Sequence, residues 1–276
     1  MHLSVVTSTY NSSGHIKEFI NRIKKTLENE NIEYEIIVVD DGSKDNSIQI
    51  IKELKSSIDN IKLIELSRNF GQHPALICGL NHARGEFIYM LDSDLEEEPE
   101  LYHKFKDELL EKDLDLVFGQ SASRRGNILE KLSGHFYYFF LKHLFGFYQP
   151  NNLATIRLMR RTYLDAYLLY KEHVIQIGAI TEIAGFKKKG IFIKKLRLRK
   201  SNYSWIKKFQ VLVRSITNYS SRPLYFLFYS GIFISFISFS ILIYFVIRSF
   251  LIETTVPGWL TLVCLSWLGV GITILS

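Results

Sequence analysis

The sequence predicts an α/β domain on a mostly parallel, doubly wound sheet, followed by an apolar helical tail. Three observations carry that expectation. Short apolar runs alternate with stretches of helical periodicity from Leu3 to Gly119, the pattern of repeated strand–helix–strand units. The runs end in acids, small polar residues or glycine, at Ser8–Asn11, Asp40–Ser43, Ser67–Gly71 and Asp92–Asp94. Finally, Leu224 to Ile247 carries no charge, which is ample for a bilayer span of roughly 20 residues.

In chain order, Leu3 to Ser8 reads as the first strand. Ile16, Phe19, Ile20, Ile23 and Leu27 then recur at helical spacing. Glu35 to Val39 is a second strand, and Ile48, Ile51, Leu54 and Ile58 mark a second helix. Ile61 to Leu66 is a third strand, followed by a helix over about His73 to Ala83 that Gly85 stops. Phe87 to Leu91 is the fourth strand, Leu101, Phe105 and Leu109 lie on the next helix, and Asp115 to Gly119 is the fifth strand. Right-handed crossovers put the carboxyl ends of parallel strands on one edge. Ala154 to Met159 is a further strand, with a helix after it through Tyr170, and Gly190 to Leu198 reads as a basic edge strand. Ile128 to Phe147 is helical and very aromatic, a core helix by composition or, alternatively, a wall near lipid.

The chain has 276 residues and a net charge of +6, and its mean hydropathy is +0.06. From Ile183 to Ile252 there is no Asp or Glu, while Lys and Arg are dense up to Arg222. Such a block suits nucleic acid or an anionic membrane surface, and its place before an apolar run selects the membrane. Trp205 to Tyr219 sets Trp205, Ile206, Phe209 and Leu212 against Lys207, Lys208 and Arg214, as an interfacial helix does. Pro257-Gly258-Trp259 opens a second apolar run to Ser276. The expected organisation is therefore a domain over residues 1–200, an interfacial segment over 201–223 and two membrane helices over 224–276. Lys and Arg before the first span set the large domain on the cytoplasmic side. The N-terminus lacks the pattern of a signal peptide, which agrees with that orientation. Cys78 and Cys264 lie in unrelated contexts and make no disulfide framework or zinc spacing.

Asp92 and Asp94 at the end of a buried strand can hold a divalent cation through oxygen, leaving its other positions to water and phosphate. Ligands of open α/β sheets sit outside the strands' carboxyl ends. No G-x-G-x-x-G follows the first strand and no G-x-x-x-x-G-K-[ST] occurs, so a dinucleotide fold and a P-loop are both excluded. His73, His82, His135 and His143 lack ligand spacing and read as structural.

Four stretches then resemble a known family: VVTSTYN from Val5 to Asn11, VVDDGSKDNS from Val38 to Ser47, LSRNFGQHPALICGLNHARG from Leu66 to Gly85, and MLDSDLEEEPE from Met90 to Glu100. They are similar to family 2 glycosyltransferases, in the branch with dolichyl-phosphate mannose synthase and bacterial polyprenyl-phosphate glycosyltransferases. Ile156-Arg157-Leu158-Met159 resembles that branch's F-R-L-M, and Ser220-Ser221-Arg222-Pro223-Leu224 with Val256-Pro257-Gly258-Trp259 its C-terminal layout. The resemblance implies a GT-A fold and inverting transfer of a single sugar from a nucleotide sugar to polyprenyl (undecaprenyl) phosphate, with Mg²⁺ or Mn²⁺. It also implies a multi-pass protein of the inner (cytoplasmic) membrane, with oligomers known among related enzymes.

By position, the resemblance assigns nucleotide-sugar contacts to Ser8, Tyr10, Asn11, Asp41, Gly42, Arg68, Asn69, Asp92 and Ser93. Asp92 and Asp94 would hold the metal. Asp94, Arg124 and Lys131 would serve catalysis, the two basic residues near donor or acceptor phosphate. Glu96, Arg157, Ser201 and Tyr203 would lie toward the acceptor. The chain departs from the family at Ser8 for proline, Glu96 for glutamine, Ser121, Ile177 and Asn202 for basic residues, and Thr155 for an acid. Loss of the acid suits an acceptor that is already ionised, because a sugar hydroxyl would need a base. Two other readings stay open at this point: transfer onto a lipid-linked saccharide, and a membrane scaffold without catalysis. The Q-x-x-R-W signature of processive synthases is absent, which favours single transfer.

Overall fold

The computed structural model describes residues 2–30, 32–121, 153–170, 181, 185–195, 222–252 and 258–275. Its elements are β1 (His2–Thr9), α1 (Ile16–Glu28), β2 (Glu33–Asp40), α2 (Ser47–Lys55), β3 (Ile61–Glu65), α3 (Gln72–His82) and β4 (Phe87–Met90). A 3₁₀ turn (Pro99–Leu101) leads into α4 (Tyr102–Glu111), followed by β5 (Leu116–Ser121), β6 (Leu153–Arg160), α5 (Arg161–Leu168) and β7 (Lys188–Ile193). Two apolar helices follow, α6 (Arg222–Ile252) and α7 (Gly258–Leu275).

The seven strands form one sheet in the order β3-β2-β1-β4-β6-β5-β7. Pairs β1–β2, β1–β4, β2–β3 and β5–β7 are parallel. β6 runs antiparallel to both of its neighbours, with Met90 opposite Arg157. The amino end of β6 therefore joins the carboxyl ends of the other six strands on one edge. The expected edge strand at Gly190 to Leu198 is found as β7, beginning two residues earlier and ending at Ile193.

Strand alternation explains why both faces are covered. Leu3, Val5, Ile36 and Val38 point to the side of α1, where Phe19, Ile20 and Ile23 are fully buried. Val6, Ile37 and Val39 point to the other side and meet Leu76 and Leu80 of α3 with Tyr163 and Leu164 of α5. Burying one such side chain contributes about 1.5–3 kcal/mol, so two apolar layers are what hold the sheet. The approach of α3 depends on Gly79, where a Cβ would lie 2.6 Å from Val6 Cγ1 and 3.0 Å from Val39 Cγ2.

Buried Tyr89 on β4 orders the turn after the acidic loop. Its hydroxyl donates to Pro99 O at 3.2 Å, and its ring meets Tyr102 edge-on at 5.4 Å. From α1, Arg22 grips Glu100 through Nε at 2.9 Å and Nη2 at 2.6 Å. The chain leaving β4 is thus fixed at both ends before α4 begins.

The two apolar helices form part of a second compact unit. Leu224–Arg248 of α6 is 25 residues long and apolar enough to cross a membrane, with Phe226, Phe233 and Phe236 exposed. The apolar stretch of α7, Leu262–Ile274, is shorter. α6 and α7 pack closely at Gly271, where a Cβ would stand 3.0 Å from Gly231 O, the close approach that small residues permit between apolar helices. The expected interfacial helix over 205–219 and aromatic helix over 128–147 lie outside the described residues.

Gly79→Val is expected to lower stability by about 1–3 kcal/mol through overpacking. Urea unfolding of the full chain in detergent would read this as a lower midpoint with an unchanged slope.

Candidate active site

The loops after β1 and β2 are stitched together by short polar side chains. Asn11 N donates to Ser43 Oγ at 2.9 Å, Ser12 N to Ser47 Oγ at 2.8 Å and Ser13 N to Asp45 Oδ2 at 3.0 Å. Lys44 N returns a bond to Asn11 Oδ1 at 2.8 Å. Asn11 has φ 50, a left-handed conformation that asparagine tolerates better than most residues. Residue 46 makes no side-chain cap for α2. Asp45, one residue earlier, takes that part, its Oδ1 accepting Ser47 N at 3.0 Å and Ser47 Oγ at 2.5 Å. Burial works against the charged form of Asp45, yet the bonds from Ser47 and Ser13 outweigh it and hold its pKa at about 2.

Asp41 fastens the loop after β3. It is 3% exposed, and its two oxygens accept Phe70 N at 2.7 Å and Gly71 N at 2.9 Å. Charge-assisted bonds of this kind are roughly twice as strong as neutral ones. Gly42, at φ 72, lets the two loops touch, because a Cβ there would lie 2.7 Å from Arg68 C. This fixes Arg68, Asn69 and Phe70 as an exposed rim, with the Arg68 guanidinium 4.7 Å from the Phe70 ring centre.

At the end of β4, Ser93 Oγ donates to Ser8 O at 2.9 Å and ties the acidic loop to β1. Asp94 Oδ1 accepts Glu96 N at 3.0 Å. Between them Leu95 sits at φ 61, a conformation costing about 1–2 kcal/mol in an L-residue. Its buried side chain and the two flanking bonds hold it there. Asp92 accepts Gln72 Nε2 at 2.5 Å. Burial first, and then the Glu97 charge, push the Asp92 carboxyl up to about 7, against the lowering effects of Thr155 and Lys195.

Glu97 is fully buried. Its Oε1 accepts Thr155 N at 2.9 Å and pairs with Lys195 Nζ at 3.0 Å. The position that lacks the family's acid thus has a carboxylate against its backbone, supplied by the acidic loop. Arg157, expected toward the acceptor, is buried. It is 2% exposed and donates to Thr155 O at 3.1 Å, Ala154 O at 3.2 Å and Thr181 Oγ1 at 3.3 Å. Its place within β6, opposite Met90, turns it into the interior, where it braces the start of the strand.

Ser8, Tyr10, Asn11, Asp41, Gly42, Arg68, Asn69, Asp92, Ser93, Asp94 and Glu96 all sit on the one sheet edge. Arg124, Lys131, Ser201 and Tyr203 lie outside the described residues. Sequence reasoning missed Gln72, Glu97 and Lys195. The single available signal for Glu97 was the run Glu96-Glu97-Glu98, in which no member stands out. Among the described residues, no group of three or more His, Cys, Asp or Glu side chains forms a metal site. Asp92 and Asp94 still fit a hard cation, since both offer oxygen and the desolvated Asp92 carboxylate lacks a balancing charge of its own.

This edge, with acids after β2 and β4 and a basic, aromatic rim after β3, is matched by one family model, glycosyl transferase family 2, over residues 4–168. The chain belongs to glycosyl transferase family 2. It is a glycosyltransferase of the nucleotide-sugar-dependent class. A Mycobacterium tuberculosis protein named as a glycosyltransferase is 34% identical over 99% of this chain and 80% of its own length. An undecaprenyl-phosphate 4-deoxy-4-formamido-L-arabinose transferase of Pseudomonas fluorescens is 30% identical over 62% of this chain, which spans half of that protein's length. In fold, the chain is similar to a mannosyltransferase from Pyrobaculum calidifontis solved with GDP-Man and Mn²⁺, with a TM-score of 0.53 and 19% identity over 76% of this chain and 61% of that one.

Asp45→Ala is expected to cost about 1 kcal/mol at neutral pH through loss of the α2 cap. Because the Asp45 pKa is lower folded than unfolded, its contribution is present above pH 4 and disappears as pH falls toward 2. Urea titrations of both proteins across that range should therefore converge at low pH.

Proposed function

We propose that this glycosyltransferase moves one sugar from a nucleotide sugar to polyprenyl phosphate at the cytoplasmic face of a membrane, with inversion at the sugar carbon. The observation that carries the reading is α6. Its 25-residue stretch Leu224–Arg248 is apolar and mostly exposed, an exposure that water disfavours and lipid does not. A soluble acceptor would give such a helix no purpose. The name of the Pseudomonas fluorescens relative supports the same class of acceptor.

The chemistry suits this acceptor. An oxygen of the lipid phosphate attacks the anomeric carbon, the bond from that carbon to the nucleotide's terminal phosphate oxygen breaks, and the nucleoside diphosphate leaves with the electron pair. A phosphate already ionised near pH 7 gives up no proton in this step, so Thr155 in place of an acid is no obstacle. When bound, a divalent cation supplies charge neutralisation for the leaving diphosphate. Asp92 and Asp94 are the residues that would hold it, with Mg²⁺ or Mn²⁺ as the natural choices for oxygen ligands.

Tyr10, Asn11, Arg68 and Asn69 would receive the nucleoside on the exposed rim, with Ser8, Ser93 and Gly42 shaping its floor. Asp41 would act through the loop it clamps. Arg124 and Lys131 would offset the negative charge where diphosphate and acceptor phosphate meet. Glu96, Ser201 and Tyr203 would lie toward the acceptor. Residues 201–223 would rest at the interface, and α6 and α7 would enter the membrane.

Incubation of the full chain with undecaprenyl phosphate, Mn²⁺ and a panel of nucleotide sugars should give one lipid-linked monosaccharide, identified by mass. A product carrying the new sugar on a lipid-linked saccharide, with none on the bare phosphate, would replace this reading. Asp94→Ala should lower the rate by at least about 10²-fold, the scale of losing a main charge-stabilising group.

Cation binding should also depend on pH. The Asp92 carboxyl is half protonated near pH 7 and only its anion binds a cation. Calorimetry with Mn²⁺ should show affinity rising from pH 6 to pH 8, with proton release at the lower end.

A further inference from the structure

Lys195 lies two residues beyond β7, which runs parallel to β5. Its side chain therefore emerges on the edge that carries Asp92 and Asp94. The ammonium is 3.0 Å from Glu97 Oε1, its one partner among the described residues, and it has three donors to spend. Its side chain is 26% exposed, so solvent and ligands can reach it.

Glu97 is fixed from behind by Thr155 N at 2.9 Å. Its other oxygen, Oε2, is buried with no hydrogen-bond partner among the described residues. An isolated buried carboxylate is strongly disfavoured, and Lys195 is its counter-charge. Burial lowers the Lys195 pKa, but Glu97, Asp92 and Asp94 together raise it above the ordinary value. The side chain is thus a cation held on a fixed anion, within electrostatic reach of the proposed metal ligands.

Stability alone gives little reason for this pair. A buried ion pair seldom outperforms apolar packing of equal volume. Ligand charge gives a better one. With all three ionised, Asp92, Asp94 and Glu97 bring three negative charges, and Lys195 one positive. A divalent cation would balance that set, and a phosphate-bearing ligand would then make it negative again. Of the other cations here, Arg157 spends its donors inside the fold, and Arg68 is on the β3 loop, three strand positions from β4, or about 14 Å at the usual spacing.

We propose that Lys195 contacts a substrate phosphate at the active site, with Glu97 as the residue that positions it. The phosphate belongs to the donor diphosphate or to the lipid acceptor. The second alternative rests on the function proposed above; the first requires only a nucleotide-sugar donor.

The test uses the full chain in detergent or nanodiscs, with Lys195→Met, Lys195→Arg and the double variant Glu97→Gln/Lys195→Met. The double variant removes both charges and leaves none stranded, so it keeps a folded protein to measure if Lys195→Met alone unfolds. Thermal melting monitors folding. Calorimetry with Mn²⁺ and a panel of nucleoside diphosphates reads the donor side, and the KM for undecaprenyl phosphate reads the acceptor side. A five- to tenfold loss of diphosphate affinity in the double variant, largely spared in Lys195→Arg, supports contact with the donor. Unchanged diphosphate affinity with a KM for lipid phosphate raised at least fivefold supports contact with the acceptor. A folded double variant that matches the wild type in both measurements overturns the proposal and leaves the pair purely structural. If the wild type glycosylates no lipid phosphate, the acceptor reading has failed on its own. Diphosphate affinity then decides the role of Lys195, and an unchanged value overturns it.

Discussion

Crowded negative charge at the carboxyl edge of the sheet is the constraint on which the rest of the structure turns. Asp40 ends β2, and Asp41, Asp45, Asp92, Asp94 and Glu97 lie on the loops of that edge. Two like charges about 5 Å apart repel by roughly 3 kcal/mol at an effective dielectric of 20, so each needs a donor or a cation. The β2 side solves this internally. Asp41 and Asp45 face backbone amides, and Asp40 accepts Ser43 N at 2.8 Å. These bonds make the loops after β1, β2 and β3 one rigid piece. The β4 side is left short. Asp92, Asp94 and Glu97 share a glutamine amide, two backbone amides, the Thr155 side chain and one lysine. Burial first, and then the neighbouring Glu97 and Asp94 charges, raise the Asp92 pKa there. One side of the edge is scaffold, and the other is prepared to gain from a cation.

The strand–helix alternation was readable in the sequence because period-2 and period-3.6 patterns report burial directly, and β1 through β5 fall within a few residues of the expected positions. The direction of β6 was not readable. ATIRLM has the same apolar pattern whichever way it runs, and only pairing with β4 and β5 selects antiparallel. That direction brings Thr155 to Asp92 and Glu97, so part of the site was hidden with it. Glu97 was concealed in a run of three acids, where composition cannot tell a buried carboxylate from a solvated one. Asp41 and Arg157 were recognisable as special, but not for what they contact. A motif marks where a residue type is needed; it does not say whether the partner is a ligand or the protein's own backbone.

Asp41 illustrates the distinction. Both of its oxygens already accept amides of residues 70 and 71, and it is almost wholly buried. The same carboxylate fixes Phe70, which stays exposed with Arg68 over its ring. The rim proposed to receive the nucleoside is thereby set by a residue buried behind it. Gly42 serves the same end by absence, since any side chain there would push the β3 loop away from β2.

The proposed acceptor combines two observations that are weak separately. An exposed apolar helix calls for lipid without naming what on the lipid reacts. The start of β6 offers a threonine side chain in place of an acid; that side chain bonds Asp92, and Glu97 is occupied by Thr155 N and Lys195. A sugar hydroxyl at that point would need a carboxylate released from its present partners, whereas a phosphate monoester arrives with the charge already in place. What such an acceptor needs from the protein is the opposite of a base: positive charge near the point where two phosphates approach. Lys195, held on Glu97 within electrostatic reach of the two aspartates, is a group of that kind among the described residues.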